Sequence, residues 1–450
     1  MVAAADLLIV GAGAKAAGIA TKVHVLNTLG LGPIDLRIVE GTTHAASWLG
    51  RNGMTSGEEP LAVTPIKDIG FPYQSHYEFG EAGEAIDAAA QAFSWQQYMI
   101  SKRRYARWID AGSPSVRHRD YGEYLTWVFS RATEGVEHVQ GRVTNVALDE
   151  DGERWEVEVE EASGTARHAG GALVLTGPGT HRAFPHEPSV APRLFHCDSK
   201  RSEFAQLPEQ ECDVAVVGGG ESALSCVMFL RGFRPRARCT IYTPMLPMSR
   251  GESFLENRVF SNPDEVEWGA LDLQTRRDFV KHSDRGVFDP PSLEAIAYDD
   301  RARFVTGRVT DVGERQGGEE GVRVEYESPE GLKGAEHDYV VNCTGFDLLA
   351  QLRDLFPPAV RERVESQAGP LWDRPAGSEI RIGRALELEG MQPRLHIPGL
   401  GGLSQGPGFA NLGALGLVSN RVLQPLVQEK SSTQGLGDEE PLQYKSLSLE

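Results

Sequence analysis

Two glycine-rich runs are the residues best placed to do chemistry. Gly11-Ala-Gly13-Ala-Lys-Ala16 follows the apolar run Leu7 to Val10, and Gly218-Gly-Gly220-Glu221-Ser222-Ala223 follows Asp213 to Val217. In each, the first glycine permits a tight turn, the second lets backbone approach a pyrophosphate, and the alanine lets helix pack close to strand. The helix N-terminus then faces the negative charge. A second strand, Leu36 to Val39, ends in Glu40, a carboxylate placed to meet ribose hydroxyls. Two dinucleotide sites are therefore expected. The first is N-terminal and its closing strand returns only after a long insertion, which points to FAD. The second then takes a nicotinamide, the natural hydride donor to a flavin. After the strand ending at Tyr242 no acidic residue awaits a free 2′-hydroxyl; Thr243, Ser249 and Arg250 follow instead, favouring NADPH over NADH. Arg250 also fits the plainer role of a solvated surface arginine.

Both runs need strand, turn and helix around them, and the chain supplies this twice. Each unit continues alike: Gly141-Arg-Val-Thr-Asn-Val146 is echoed by Gly307-Arg-Val-Thr-Asp-Val312, each followed by an acidic turn and an alternating strand, and each half closes on Thr-Gly, at Thr176-Gly177 and Thr344-Gly345. The matching order predicts an α/β fold of two tandem Rossmann-like domains, the second nested in the first. The expected FAD-binding domain is 1–195 plus 336–428, with a helical, aromatic-rich insertion at about 85–132. The expected NADPH-binding domain is 205–335, with the substrate site at the interface and a mobile tail from about Lys430, covering 429–450.

Composition narrows the partners. A net charge of −19 repels phosphate backbones and anionic membrane faces, so nucleic acid is not expected. Cys197, Cys212, Cys226, Cys239 and Cys343 show no ligand or dithiol spacing, which argues against a metal site and for buried thiols in a reducing cytoplasm. No apolar run approaches the roughly 20 residues that span a bilayer. Glycine at 50 of 450 residues exceeds the roughly 7% of average chains, in keeping with tight turns and close backbone approach to ligands.

Two nucleotides still leave several chemistries. A disulfide reductase would need a paired dithiol, and none is present. A Baeyer–Villiger or dimethylaniline-type oxygenase would carry F-x-G-x-x-x-H in the linker; here Phe184-Pro-His-Glu-Pro and Leu194-Phe-His196-Cys-Asp-Ser199 keep a similar Phe-His-x-x-Ser end but lack the glycine.

At this point the chain resembles the microbial flavin-dependent amine N-hydroxylases, the lysine and ornithine N-monooxygenases of siderophore assembly. It is most similar to the actinobacterial lysine branch that serves mycobactin-type siderophores. The resemblance runs to about residue 425 and is carried by the two glycine fingerprints, Pro65-Ile-Lys67-Asp68-Ile-Gly-Phe-Pro-Tyr73, Phe254-Leu-Glu-Asn257-Arg-Val-Phe-Ser, Asp284-Arg-Gly-Val-Phe288 and Gly402-Leu-Ser404-Gln405-Gly-Pro-Gly-Phe-Ala-Asn411. It implies a class B flavoprotein monooxygenase in which NADPH reduces FAD, O₂ adds at the flavin C4a, and the substrate's terminal amine takes the distal oxygen. It also implies that Lys67 and Asn257 hold the amino acid's carboxylate and orient the nicotinamide. By the same resemblance Trp48 and Met54 stand beside the flavin and the loop with Ser404 and Gln405 covers it; Gly345 is also expected to contact FAD, and Glu221, Ser222 and Arg250 to contact NADPH. Asp284 replaces the asparagine of ornithine-specific relatives and is expected to grip the substrate's α-ammonium. No dedicated catalytic base stands out. L-Lysine is the first expected substrate, ahead of L-ornithine and diamines, and the chain is expected to be a homo-oligomer, dimer or tetramer. A catalytically silent, redox-responsive flavoprotein and a peroxide-releasing NADPH oxidase are the rival readings.

Overall fold

The computed structural model describes residues 4–52, 55–199, 201–284, 286–315, 320–374 and 378–433. The first sheet is built from β1 (Ala5–Val10), β2 (Leu36–Glu40), β3 (Val136–Gln140), β4 (Arg142–Leu148), β5 (Trp155–Glu161) and β6 (Gly164–Leu175) in the order β3-β2-β1-β6-β5-β4. β1 is apolar on both faces because it is central, paired in parallel with β2 and β6. Val10 lies opposite both Val39 and Leu175, so Gly11, Glu40 and Thr176 emerge together at the carboxyl edge, where doubly wound sheets bind ligands. The helix Ala14–Thr28 buries Ala16, Ala17, Ile19 and Ala20 in the same core as β1.

The second unit comprises β7 (Thr180–His181), β8 (Leu194–His196), β9 (Cys212–Val217), β10 (Ala237–Thr243), β11 (Ala302–Thr306), β12 (Arg308–Glu314), β13 (Val322–Ser328), β14 (Gly331–His337) and β15 (Tyr339–Asn342). Its parallel sheet runs β11-β10-β9-β15-β8, with β12-β13-β14 as a separate antiparallel meander. β7 pairs with β16 (Phe346–Asp347), and these two short strands carry the chain between units; β17 (Leu395–His396) then returns to β6 of the first sheet. The repeated hexamers occupy equivalent places and share one irregularity: register shifts fall between Val143 and Asn145 and between Val309 and Asp311. A bulge at the same step of each meander bends it over its parallel sheet.

Two expectations need correction. The boundaries at 195/205 and 335/336 cut through the second sheet, because β8 and β15 pair with each other and β15 with β9. Both strands are only three or four residues long, and their non-local pairing, not their composition, assigns them. The mobile tail expected from about Lys430 overlaps a helix at its start. The helix Leu415–Thr433 packs on helix Ala14–Thr28, with Lys430 paired to Asp6 at 2.7 Å, and residues 434–450 lie outside the described residues. The insertion is helical, and Phe93, Trp95, Tyr98, Trp108, Tyr121 and Tyr124 are buried in the first unit's core. All five cysteines are free and buried. Among the described residues no helix is long and apolar enough to cross a membrane.

Candidate active site

The first fingerprint is shaped for a ligand's approach. Gly11 has φ +98°, and a Cβ there would lie 2.7 Å from the Thr176 hydroxyl, so the tight turn requires glycine. Thr176 Oγ1 donates to the Val10 and Gly11 carbonyls at 2.9 and 3.2 Å. A Cβ on Gly13, in contrast, would meet nothing within 4 Å. Gly13 caps the helix without a side-chain bond and no acid sits in the first turn, leaving the N-terminus open to an anion. Glu40 closes the turn by accepting from the Ala12 N–H at 2.8 Å and the Thr42 N–H at 3.0 Å. Gly345, at φ +94°, likewise has open space on its Cβ side, and the buried Ser404 hydroxyl has no hydrogen-bond partner. These residues fit an adenine dinucleotide. Gln405 is committed elsewhere: its amide donates to the Ile382 carbonyl at 2.7 Å and accepts from Arg421 at 3.0 Å.

The second fingerprint follows the same logic. A Cβ on Gly218 would lie 2.3 Å from the Cys343 carbonyl oxygen, while one on Gly220 finds its nearest neighbour at 3.8 Å. Gly220 caps the helix Glu221–Phe233, in which Ala223 is fully buried. Ser222, half-buried, lies in the same first turn.

A cavity of about 630 Å³ opens between the units. Its walls come from Trp48, residues 59–64, Lys67, His118 and Asn411–Gly413 of the first unit, and from Glu221, Arg250–Glu252, Asn257, Phe260 and Asp284 of the second. Lys67 and Asn257 meet across it: Lys67 Nζ donates to Asn257 Oδ1 at 2.7 Å. Each is aimed by local structure. Lys67 precedes the buried Asp68, whose carboxylate accepts from Gly70 N–H (3.1 Å), Tyr73 OH (2.9 Å) and Trp95 N–H (2.9 Å), pinning the loop. Burial pushes the Asp68 carboxyl up to about 6 despite those bonds. Lys67 therefore turns away from Asp68 and into the cavity. Asn257 sits on helix Phe254–Ser261, started by a reciprocal Ser253/Glu256 cap, and its amide donates to the Glu252 and Ser253 carbonyls at 2.9 and 3.2 Å. Burial, then the neighbouring Arg250 charge, draws the Lys67 pKa below the ordinary lysine value.

Arg250 bridges the units. It donates to the Ala62 carbonyl at 2.7 Å, sits 3.2 Å from Glu221 and also pairs with Glu252. Burial raises Glu221 to about 7 against the pull of Arg250. Asp284 accepts from the Asn411 amide at 3.1 Å, tying the C-terminal loop to the cavity floor. Trp48 stands edge-on to His118 and Tyr121 at 5.1 and 5.2 Å. Met54 lies outside the described residues. Sequence reasoning passed over Glu59 and His118, which also line the cavity; no motif marks them, and His118 bonds Thr55 Oγ1 at 2.9 Å, its pKa lowered by burial.

Residues 86–348 match the family model described as L-lysine 6-monooxygenase/L-ornithine 5-monooxygenase. The chain is also 36% identical over 426 residues, 93% of its own length and 94% of the relative's, to the L-lysine N6-monooxygenase MbtG of Mycolicibacterium paratuberculosis. The chain belongs to the L-lysine 6-monooxygenase/L-ornithine 5-monooxygenase family. The lysine monooxygenase NbtG of Nocardia farcinica superposes with a TM-score of 0.76 at 34% identity, over 92% of this chain and 98% of that one. The ornithine N-hydroxylase KtzI of Kutzneria sp. 744 shares the fold, with a TM-score of 0.75 at 17% identity over 95% and 100% of the two chains. For this family of flavin-dependent N-hydroxylating monooxygenases, a cavity walled by both dinucleotide units is the arrangement the chemistry needs.

Proposed function

We propose that the chain converts L-lysine, NADPH, O₂ and a proton to N6-hydroxylysine, NADP⁺ and water, serving siderophore or related natural-product assembly. The observation that carries this reading is the Lys67–Asn257 contact, 2.7 Å long and formed across the cavity by residues 190 apart in sequence. When bound, FAD reduced by NADPH supplies activated oxygen to an amine nitrogen. Gly13 and Gly220 admit the two pyrophosphates, Glu40 accepts from a ribose, and Trp48 and Ser404 face the flavin. Lys67 offers an ammonium to the amino acid's carboxylate. An arriving carboxylate offsets the burial and the Arg250 charge that lower the Lys67 pKa, so the two charges stabilise each other. Asn257 both donates and accepts, and can serve nicotinamide and substrate together. Asp284 presents an anion to the α-ammonium.

Apolar walls from Trp48, Leu61, Val63, Leu224, Met228 and Phe260 exclude water from the reacting amine. That amine must be neutral to react, and a lysine ε-amine with an ordinary pKa near 10.4 is mostly protonated at pH 7, so turnover should climb with pH. L-Ornithine and diamines are the competing substrates, since one methylene is worth only about 1 to 3 kcal/mol in a pocket. The test is hydroxylamine formed per NADPH consumed, with FAD supplied and each amine in turn. L-Lysine should give the highest yield; a yield near zero with every amine would leave only the oxidase or the silent flavoprotein.

We place the protein in the cytoplasm, in keeping with five free, buried cysteines. A homo-oligomer is supported by the exposed Leu246, Phe254 and Leu255, apolar surface that a second copy would cover.

A further inference from the structure

The Thr180 to Ser199 segment, which neither nucleotide site absorbs, gathers three metal-ligating side chains. His181 lies on β7, where the chain crosses between units; Glu187 opens the turn segment Glu187–Arg193; His196 ends β8. One ligand atom from each lies within 4.8 Å of the others, the single such grouping among the described residues. The two imidazoles stack at 3.5 Å and 23°, and His196 Nε2 stands 2.7 Å from Glu187 Oε1. Glu187 is only 6% exposed. Its second oxygen accepts from the Phe184 N–H at 2.7 Å, which fixes the carboxylate; the 2.7 Å approach of Oε1 to His196 Nε2 lacks hydrogen-bond geometry, and the buried His196 Nδ1 has no partner. Buried polar atoms normally find partners, so an unsatisfied carboxylate oxygen beside two imidazoles asks for a cation.

We propose that His181, Glu187 and His196 form a site for a divalent transition-metal cation of the zinc class, at the hinge between the two units. Two imidazole nitrogens and one carboxylate oxygen suit zinc or cobalt(II), whereas magnesium and calcium prefer all-oxygen shells. Asp198 Oδ1, 3.7 Å from His181 Nδ1, is placed either to complete the shell or to orient that ring. None of these residues lines the active-site cavity. A bound ion would tie the crossing strand β7 to the edge strand β8, and so limit how the second unit swings against the first. Cysteine spacing carries no trace of this site, and the histidine pair, fifteen residues apart, forms no ligand motif in the sequence.

The test uses the metal-stripped, FAD-loaded full chain, titrated with Co²⁺ by visible absorption and with Zn²⁺ by calorimetry. One equivalent of Co²⁺ should bind with ligand-field bands, be displaced by Zn²⁺, and be indifferent to excess Mg²⁺. Glu187→Gln and His181→Ala should each weaken Zn²⁺ at least about tenfold while leaving FAD content unchanged. His181 is 40% exposed, so its replacement tests the site without disturbing the core. Absence of binding at about 100 μM metal, or equal affinity in both variants and the parent, would overturn the proposal and leave the cluster a histidine–carboxylate ion pair.

Discussion

Replacing Gly13 by valine separates the demands of the fold from those of the ligand. Gly13 has φ −89° and ψ −165°, a conformation any residue adopts, and a Cβ there meets nothing within 4 Å. Removing a glycine from the unfolded chain stabilises by about 0.4 to 1 kcal/mol. Losing a good N-cap residue costs a similar amount, so the two nearly cancel. The ligand-free protein should therefore melt within about 2 °C of the parent. A pyrophosphate, however, must occupy the volume the new methyls fill. Forfeiting two charge-assisted hydrogen bonds at about 1.5 to 3 kcal/mol each removes roughly 3 to 6 kcal/mol, or about 10² to 10⁴ in FAD affinity. Gly11→Ala is the counterpart: positive φ and a 2.7 Å approach to Thr176 make it a folding defect. Flavin fluorescence titration and thermal melting, run on both variants, decide the matter. A Gly13→Val protein that purifies yellow with full flavin refutes the reasoning, as does one that melts as early as Gly11→Ala.

Lys67→Ala should raise the KM for L-lysine by about 30- to 100-fold through loss of one charge-assisted bond, with FAD content unchanged; an unaltered KM in steady-state kinetics refutes the carboxylate role. Glu221 is raised to about 7, so the folded chain holds its proton more tightly than the unfolded chain does. Stability should then decline as pH rises from about 4.5 to 7. Glu221→Gln should be neutral at acid pH and stabilising above 7, and denaturant melts at pH 4.5 and 8 that show equal effects would contradict this. Arg421 is 2% exposed and pairs with Asp264 at 2.7 Å, so Asp264→Ala leaves a buried guanidinium held by the neutral Gln405 amide at 3.0 Å and the more distant Glu78 carboxylate at 3.8 Å. A loss of about 3 kcal/mol in urea unfolding is expected, and a loss under 1 kcal/mol would show the pair to be dispensable.

Much of the fold was legible because its signals are local. Strand, glycine turn and helix fit within thirty residues, and Glu40 follows one strand later, so the residues that shape each fingerprint are neighbours in sequence. The duplicated hexamer was legible for the same reason, and its meaning, one bulge at the same step of two meanders, appears in the paired registers. Lys67 and Asn257 were found by resemblance, since nothing in either segment alone tells that the two side chains meet.

What the amino-acid order determined by itself was two nucleotide-binding units, their order along the chain and the glycines each requires, because strand, turn and helix propensities act over a few residues. Tertiary structure alone decided where one unit stops, that Arg250 clamps Ala62 and two carboxylates, that the Gln405 amide is spent on Ile382 and Arg421, and that His181, Glu187 and His196 converge. Each of these depends on which distant segments pack together, and that is settled by the burial and hydrogen-bond satisfaction of the whole chain.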